Sequence, residues 1–275
     1  MVGTFESIDE RYQAVYDRAM AVLGDDPRVL SASLTGSVAD GTADRWSDLD
    51  LVVVTRPEAH DEFLAGWPEW LAAITPTVFA RAPLAPFIIN TVTTDGLTLD
   101  FAIFSGEQPT FPPASTHYTV GFLPTRFDRV GDALEYAVVE QLRGLTGPFL
   151  SLVQRDEHIR FLTGVPHLMG LLTTVFLAET GAAPPGKHWN RTFTPEQQAA
   201  VASLPPLRAT RADVIAWGLA LAEMIVSRAR PLYPVHSLAW PEDLALVAAT
   251  RVEQVLGIDI SSWLQRREAD DPKSE

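Results

Sequence analysis

The chain has 275 residues, 47 % of them hydrophobic and 20 % charged, an ordinary globular composition with length for two modest domains. It has no cysteine, which excludes disulfides, thiolate chemistry and zinc fingers and favours a cytoplasmic address. No apolar run reaches the roughly 18 residues of a membrane helix, and the acidic, amphipathic start MVGTFESIDERY does not read as a signal peptide.

The net charge of −14 comes from 21 Lys+Arg and 35 Asp+Glu. Residues 1–105 hold 16 acids and 6 bases, a net of −10, and the remainder holds −4. Such a surface repels phosphate backbones, so no nucleic-acid partner is expected. It serves as a solubility surface or as the surroundings of a divalent-metal site with a cationic substrate.

In chain order, Phe5, Ile8, Tyr12, Val15, Ala19 and Val22 recur at steps of three and four, which predicts an amphipathic helix ending near Gly24. Val29–Thr35 and Leu49–Val54 read as strands. Residues 58–73 read as helix, broken where Pro68 follows Gly66-Trp67. Phe87–Val92 and Leu97–Phe104 are β-rich runs around Thr93-Thr94-Asp95-Gly96, a hairpin signal. Helices dominate from about residue 131. Asp132 is positioned to cap a run through Leu145, and 149–163 and 166–180 form two apolar segments parted by Gly164-Val165-Pro166. Thr194-Pro195-Glu196-Gln197 carries a capping-box pattern, Thr210 starts a helix running to about Arg230, and 241–256 supplies the last long one. The fold class is therefore α+β: a small mixed β-sheet domain, 1–125, followed by an all-α helical bundle, 126–275, with the boundary inside 106–130.

The chemistry concentrates in residues 34–54, LTGSVADGTADRWSDLDLVVV. Asp48 and Asp50 stand two apart at the opening of a strand, so both carboxylates leave the same face. Two such anions repel unless a cation lies between them. Asp100 interrupts the apolar strand Leu97-Thr98-Leu99-Asp100-Phe101-Ala102-Ile103, where an unpaired charge is costly. If the two strands are neighbours, three carboxylates form a hard oxygen cage suited to Mg²⁺. Asp40 and Asp44, in the loop between the motif halves, read as solvated or capping residues.

Gly36-Ser37, ten residues, Asp48-Leu49-Asp50 and a later strand aspartate, Asp100, together resemble the polymerase-β-like nucleotidyltransferase superfamily. A small β-domain followed by a helical bundle resembles, within it, the antibiotic nucleotidyltransferases of aminoglycoside and lincosamide type. The resemblance implies two Mg²⁺ ions held by Asp48, Asp50 and Asp100, with ATP or another NTP as donor. It implies that Asp48 and Asp50 bridge both metals and that Asp100 binds the hydroxyl-activating one. Gly36 would let backbone approach the phosphates, and Ser37 would donate to a β- or γ-oxygen.

Of the two lysines, Lys273 is in the terminal EADDPKSE, which leaves Lys187, in Pro184-Pro185-Gly186-Lys187-His188-Trp189-Asn190-Arg191. Lys187 and Arg191 are candidates for clamping the nucleotide phosphates across an interdomain cleft, against the plainer reading of a solvated loop. Trp189 reads as a packing residue before a stacking one. Six histidines show no zinc-ligand spacing on one helix. Glu135 and Glu140 are alternatives to Asp100 as general base, since antibiotic nucleotidyltransferases often recruit a carboxylate from outside the triad. The expected activity is Mg²⁺-dependent transfer of a nucleoside monophosphate, AMP from ATP in the first instance, to a hydroxyl of a small cationic molecule of aminoglycoside type. The rivals are a toxin–antitoxin-type transferase acting on a protein or a tRNA end, and a non-catalytic NTP-sensing module. No membrane partner is expected.

Overall fold

The computed structural model describes residues 5, 8–81, 88–106, 127–184 and 188–264. The chain separates into two compact units, Met1–Gly121 and Phe122–Glu275.

The first unit is a mixed five-stranded sheet built from β1 (Val29–Thr35), β2 (Leu49–Thr55), β3 (Thr77–Arg81), β4 (Ile88–Thr93) and β5 (Thr98–Ser105), in the order β1-β2-β5-β4-β3. Helix α1 (Arg11–Asp25) precedes β1, and the short α2 (Gly36–Asp40) follows it. β2 and β5 run parallel, and every other neighbouring pair is antiparallel. A parallel pair requires a crossover, and the intervening chain provides one in helices α3 (His60–Ala65) and α4 (Trp67–Ile74) and the strands β3 and β4. One sheet face carries Leu49, Leu51, Val53, Ile89, Leu99, Phe101 and Ile103, packed with Tyr12, Ala19 and Leu23 of α1 and with Phe63, Trp70 and Leu71. Alternation along β5 (Leu99, Phe101 and Ile103 buried; Asp100, Ala102 and Phe104 less so) turns Asp100 to the opposite face. The predicted hairpin closes through Gly96, whose φ of 82° suits glycine, with the Thr93 amide donating to Leu97 O at 2.9 Å. Phe87, at the start of the predicted run, lies outside the described residues.

Two local expectations need correction, and one strand joins the expected elements. Residues 77–81, read as part of no element, form β3, a five-residue edge strand behind Pro76; a register shift between Thr77 and Phe79 leaves it too short and irregular to show alternation. Asp132 does not cap α5 (Val130–Thr146); Arg129 occupies the N-cap, and Asp132 lies in the first turn, 3.9 Å from the Arg129 guanidinium. The predicted break at Gly164-Val165-Pro166 is absent, because α7 runs unbroken through Pro166 from His158 to Thr180. The chain turns earlier, between α6 (Pro148–Gln154) and α7, where Asp156 is left-handed at φ 55°. A proline removes one helical hydrogen bond, and packing of the flanking turns carries the helix through it.

In the second unit α8 (Trp189–Thr192) and α9 (Pro195–Ala202) connect α7 to α10 (Arg211–Ala229), and α11 (Leu232–Val235) leads on to α12 (Glu242–Leu256). α5 packs against α7, α10 and α12. The capping box of α9 is present: Thr194 Oγ1 accepts from the Gln197 amide at 3.1 Å, and Gln197 Oε1 accepts from the Thr194 amide at 3.0 Å. Thr210 caps α10 by accepting from the Asp213 amide. Among the described residues one helix, α7, is long and apolar enough to cross a membrane by length and composition; its Leu171, Leu172, Val175 and Phe176 are buried within this unit.

Candidate active site

The site is assembled at one end of the parallel strand pair. β2 begins at Leu49, so Asp48 sits just ahead of it and Asp50 is its second residue; Asp50 is the register partner of Asp100 on β5. Partners in register point to the same face, and Asp48, two residues before Asp50, joins them. Each of the three offers a carboxylate oxygen within 4.8 Å of the others, and each is partly buried.

Three anions so close disfavour full ionisation. Burial, then the charges of Asp48 and Asp100, push the Asp50 carboxyl up to about 7. A cation relieves all of these penalties at once, and an all-oxygen, all-carboxylate donor set suits a hard divalent ion. The residues present therefore fit a Mg²⁺ site.

Gly36 has a structural duty beside Asp50. It opens α2 at φ 63°, and a Cβ built on it would overlap the Asp50 carboxylate, lying 3.0 Å from Cγ. The missing side chain makes room for Asp50, and the positive φ adds a second reason for glycine. Ser37 follows in α2, half-buried, and its hydroxyl makes no hydrogen bond among the described residues. The loop back to β2 is pinned by Asp44, whose Oδ1 accepts from the Trp46 amide at 2.9 Å, and by Ser47 Oγ, which accepts from the Asp44 amide at 3.0 Å. Asp44 is thus a turn-forming residue, as its position suggests.

The register extends the site sideways. Thr35 on β1 pairs with Asp50, Asp100 pairs with Asn90 on β4, and Asn90 pairs with Arg81 on β3. A row of five polar residues, Thr35–Asp50–Asp100–Asn90–Arg81, therefore crosses the sheet on one face. Thr35, Asn90 and Arg81 are not among the expected site residues. Asn90 carries the same signal as Asp100, a polar residue inside an apolar run (Ile88-Ile89-Asn90-Thr91-Val92), while Arg81 is invisible without β3.

The remaining expected residues belong to the second unit. Lys187 is outside the described residues. Arg191 is exposed on α8, beside Trp189, which is 44 % exposed with its ring 5.7 Å from that of Phe193. Glu135 is exposed on α5. Glu140, 8 % exposed, is paired with Arg143 at 2.9 Å and borders a cavity of about 180 Å³ with Arg143 and His167. Burial lowers the His167 pKa, which Glu140 opposes and Arg143 reinforces.

Residues 21–104 match the family model for the nucleotidyltransferase domain. No curated protein matches the chain. Among solved structures, one similar chain is an aminoglycoside 6-adenyltransferase from Bacillus subtilis, 12 % identical, with a TM-score of 0.37 over 89 % of this chain and 97 % of that one. At that score nothing about the acceptor follows from the likeness.

Proposed function

We propose, from the premise that residues 21–104 are a nucleotidyltransferase domain of the polymerase-β-like kind, that the protein moves a nucleoside monophosphate from an NTP, in the first instance AMP from ATP, to a hydroxyl of a small cationic molecule of aminoglycoside type. The observation that carries this reading is the convergence of Asp48, Asp50 and Asp100 within 4.8 Å.

Asp48, Asp50 and Asp100 are the residues that would hold the metal. Bound Mg²⁺, two ions by the resemblance, supplies positive charge to the reacting phosphoryl group and to the leaving pyrophosphate. Ser37 donates its hydroxyl to the triphosphate, and Gly36 lets backbone approach the phosphates while its missing side chain leaves room for Asp50. The acceptor oxygen forms a bond to the α-phosphorus as the bond from that phosphorus to the β-phosphate bridging oxygen breaks. Pyrophosphate departs, and Asp100 receives the hydroxyl proton. Glu140 is a weaker candidate for that proton, because Arg143 already holds its carboxylate. Lys187 and Arg191 remain proposed phosphate contacts.

The cationic acceptor rests on charge. Residues 1–105 hold 16 acids and 6 bases, and two of those bases, Arg11 and Arg28, are tied into ion pairs with Asp9, Asp95, Asp26 and Glu62. The excess field attracts cations and fades as salt rises.

The test is incubation with each NTP, Mg²⁺ and a panel of hydroxylated acceptors, read by mass spectrometry and pyrophosphate release. A product heavier by one nucleoside monophosphate is expected, with kcat/KM for a cationic acceptor falling roughly tenfold or more between low and high NaCl. Absence of product and pyrophosphate across the panel overturns the reading; a flat salt response removes the cationic part.

A further inference from the structure

We infer that Asn90 is an acceptor-binding residue, its carboxamide holding the small molecule beside the hydroxyl that attacks; this rests on the nucleotidyl-transfer reading above. In the five-residue row, the two flanks of the carboxylates differ. Thr35 stands beside Asp50, next to Gly36 and Ser37 on the flank where the triphosphate is proposed to lie. Asn90 stands beside Asp100 on the other flank, one strand further from that loop.

In-line displacement at phosphorus requires the attacking oxygen to enter opposite the leaving pyrophosphate. With pyrophosphate leaving on the β1 side, the acceptor enters from the β4 side, over Asp100 and Asn90. Directly opposed residues of antiparallel strands have Cβ atoms about 4.5–5.5 Å apart, so a molecule touching Asp100 is within reach of Asn90.

The chemistry of Asn90 supports the same role. It is partly buried within β4, and its side chain makes no hydrogen bond among the described residues. A carboxamide offers two donors and an acceptor. That pattern matches a sugar ring bearing a hydroxyl or amine next to the reacting hydroxyl, the pattern aminoglycosides present. It adds no charge to the triad, so it selects without competing for metal.

The experiment uses the full chain with Asn90→Ala and Asn90→Ser, kanamycin and streptomycin as acceptor probes, and ATP with Ca²⁺ as the nucleotide probe in calorimetry. Urea denaturation shows which variants fold, and the serine variant keeps the test open should the alanine variant not fold. For either folded variant, kcat/KM for the acceptor falls on the order of tenfold, chiefly through KM, as expected for one lost hydrogen bond. The Kd for ATP–Ca²⁺ stays within about twofold. A weakened ATP–Ca²⁺ complex with unchanged acceptor KM assigns Asn90 to the nucleotide and overturns the inference, as does no change in either. If wild-type protein releases pyrophosphate but transfers to neither aminoglycoside, the acceptor class fails and takes this assignment with it. If it releases none under any condition, the nucleotidyl-transfer reading itself is at fault.

Discussion

Replacing Asp50 with asparagine removes a charge the metal-free fold accommodates poorly, so Asp50→Asn is expected to stabilise the protein in EDTA while abolishing transfer. The folded carboxyl titrates near 7, against 3.8 for the ordinary group. Because the folded value is the higher one, the unfolded chain ionises first as pH rises. Wild-type stability is unaffected below about pH 4, falls between about 4 and 7, and levels off above, at about 1.4 kcal/mol per pH unit at most. The neutral amide carries no such penalty. The variant's advantage is therefore below about 1 kcal/mol near pH 4, about 2 kcal/mol at pH 5 and about 4 kcal/mol at pH 8. Partial exposure of Asp50 screens its charge, which makes these figures upper limits. Half of the pH 8 value is still readily measured by urea denaturation followed through tryptophan fluorescence. Mg²⁺ raises wild-type stability at pH 8 and raises the variant's less. A variant no more stable than wild type at pH 8 in EDTA, or an advantage equal at pH 5 and pH 8, refutes the reasoning.

Asp48→Asn and Asp100→Asn each lower transfer at least ~10³-fold with the fold intact, read by pyrophosphate release and circular dichroism; near-normal rates in either variant remove that residue from the site. Gly36→Ala combines left-handed strain with overlap against Asp50, costing about 2–4 kcal/mol, and lowers kcat by ~10²-fold or more by displacing that carboxylate; a variant with ordinary stability and rate contradicts the packing described. Thr194→Ala removes one half of the α9 capping box and lowers stability by about 1 kcal/mol in denaturant titration, whereas no loss there means the box contributes nothing.

The triad is legible because charge in an apolar strand is an anomaly the chain must justify. Asp100 stands between Leu99 and Phe101, both fully buried, and Asp48 and Asp50 share a period of two. β1 has the bounds its sequence predicts, since turn residues flank it on both sides. The capping box of α9 is likewise readable, being a purely local pattern. Pro166 misleads for the opposite reason. Local propensity argues for a break, but Leu171, Leu172, Val175 and Phe176 are buried on the same helix, and packing prevails over a single missing hydrogen bond. Gly36 stands out in the sequence, yet its neighbour cannot be named from it: that Asp50 fills the space of its Cβ follows from the pairing of Thr35 with Asp50, a contact between distant positions of the chain.

Lateral order is what one-dimensional reading lacks. Periodicity tells which face a residue takes, and along β5 it turns Asp100 away from the buried Leu99 and Phe101; it does not tell which strand lies next to which. The order β1-β2-β5-β4-β3 puts the two aspartates side by side only because β5, the last strand in sequence, inserts between β2 and β4. The same insertion seats Asn90 next to Asp100 instead of at a distance from the site. A substitution that slips β4 by one residue against β5 would turn Asn90 to the apolar face and leave the triad untouched. The three carboxylates and the flank beside them are thus set by two different strand pairings, β2 with β5 and β4 with β5. On the proposed reading, the parallel pair holds the reacting carboxylates and the antiparallel neighbour supplies the contact to the acceptor.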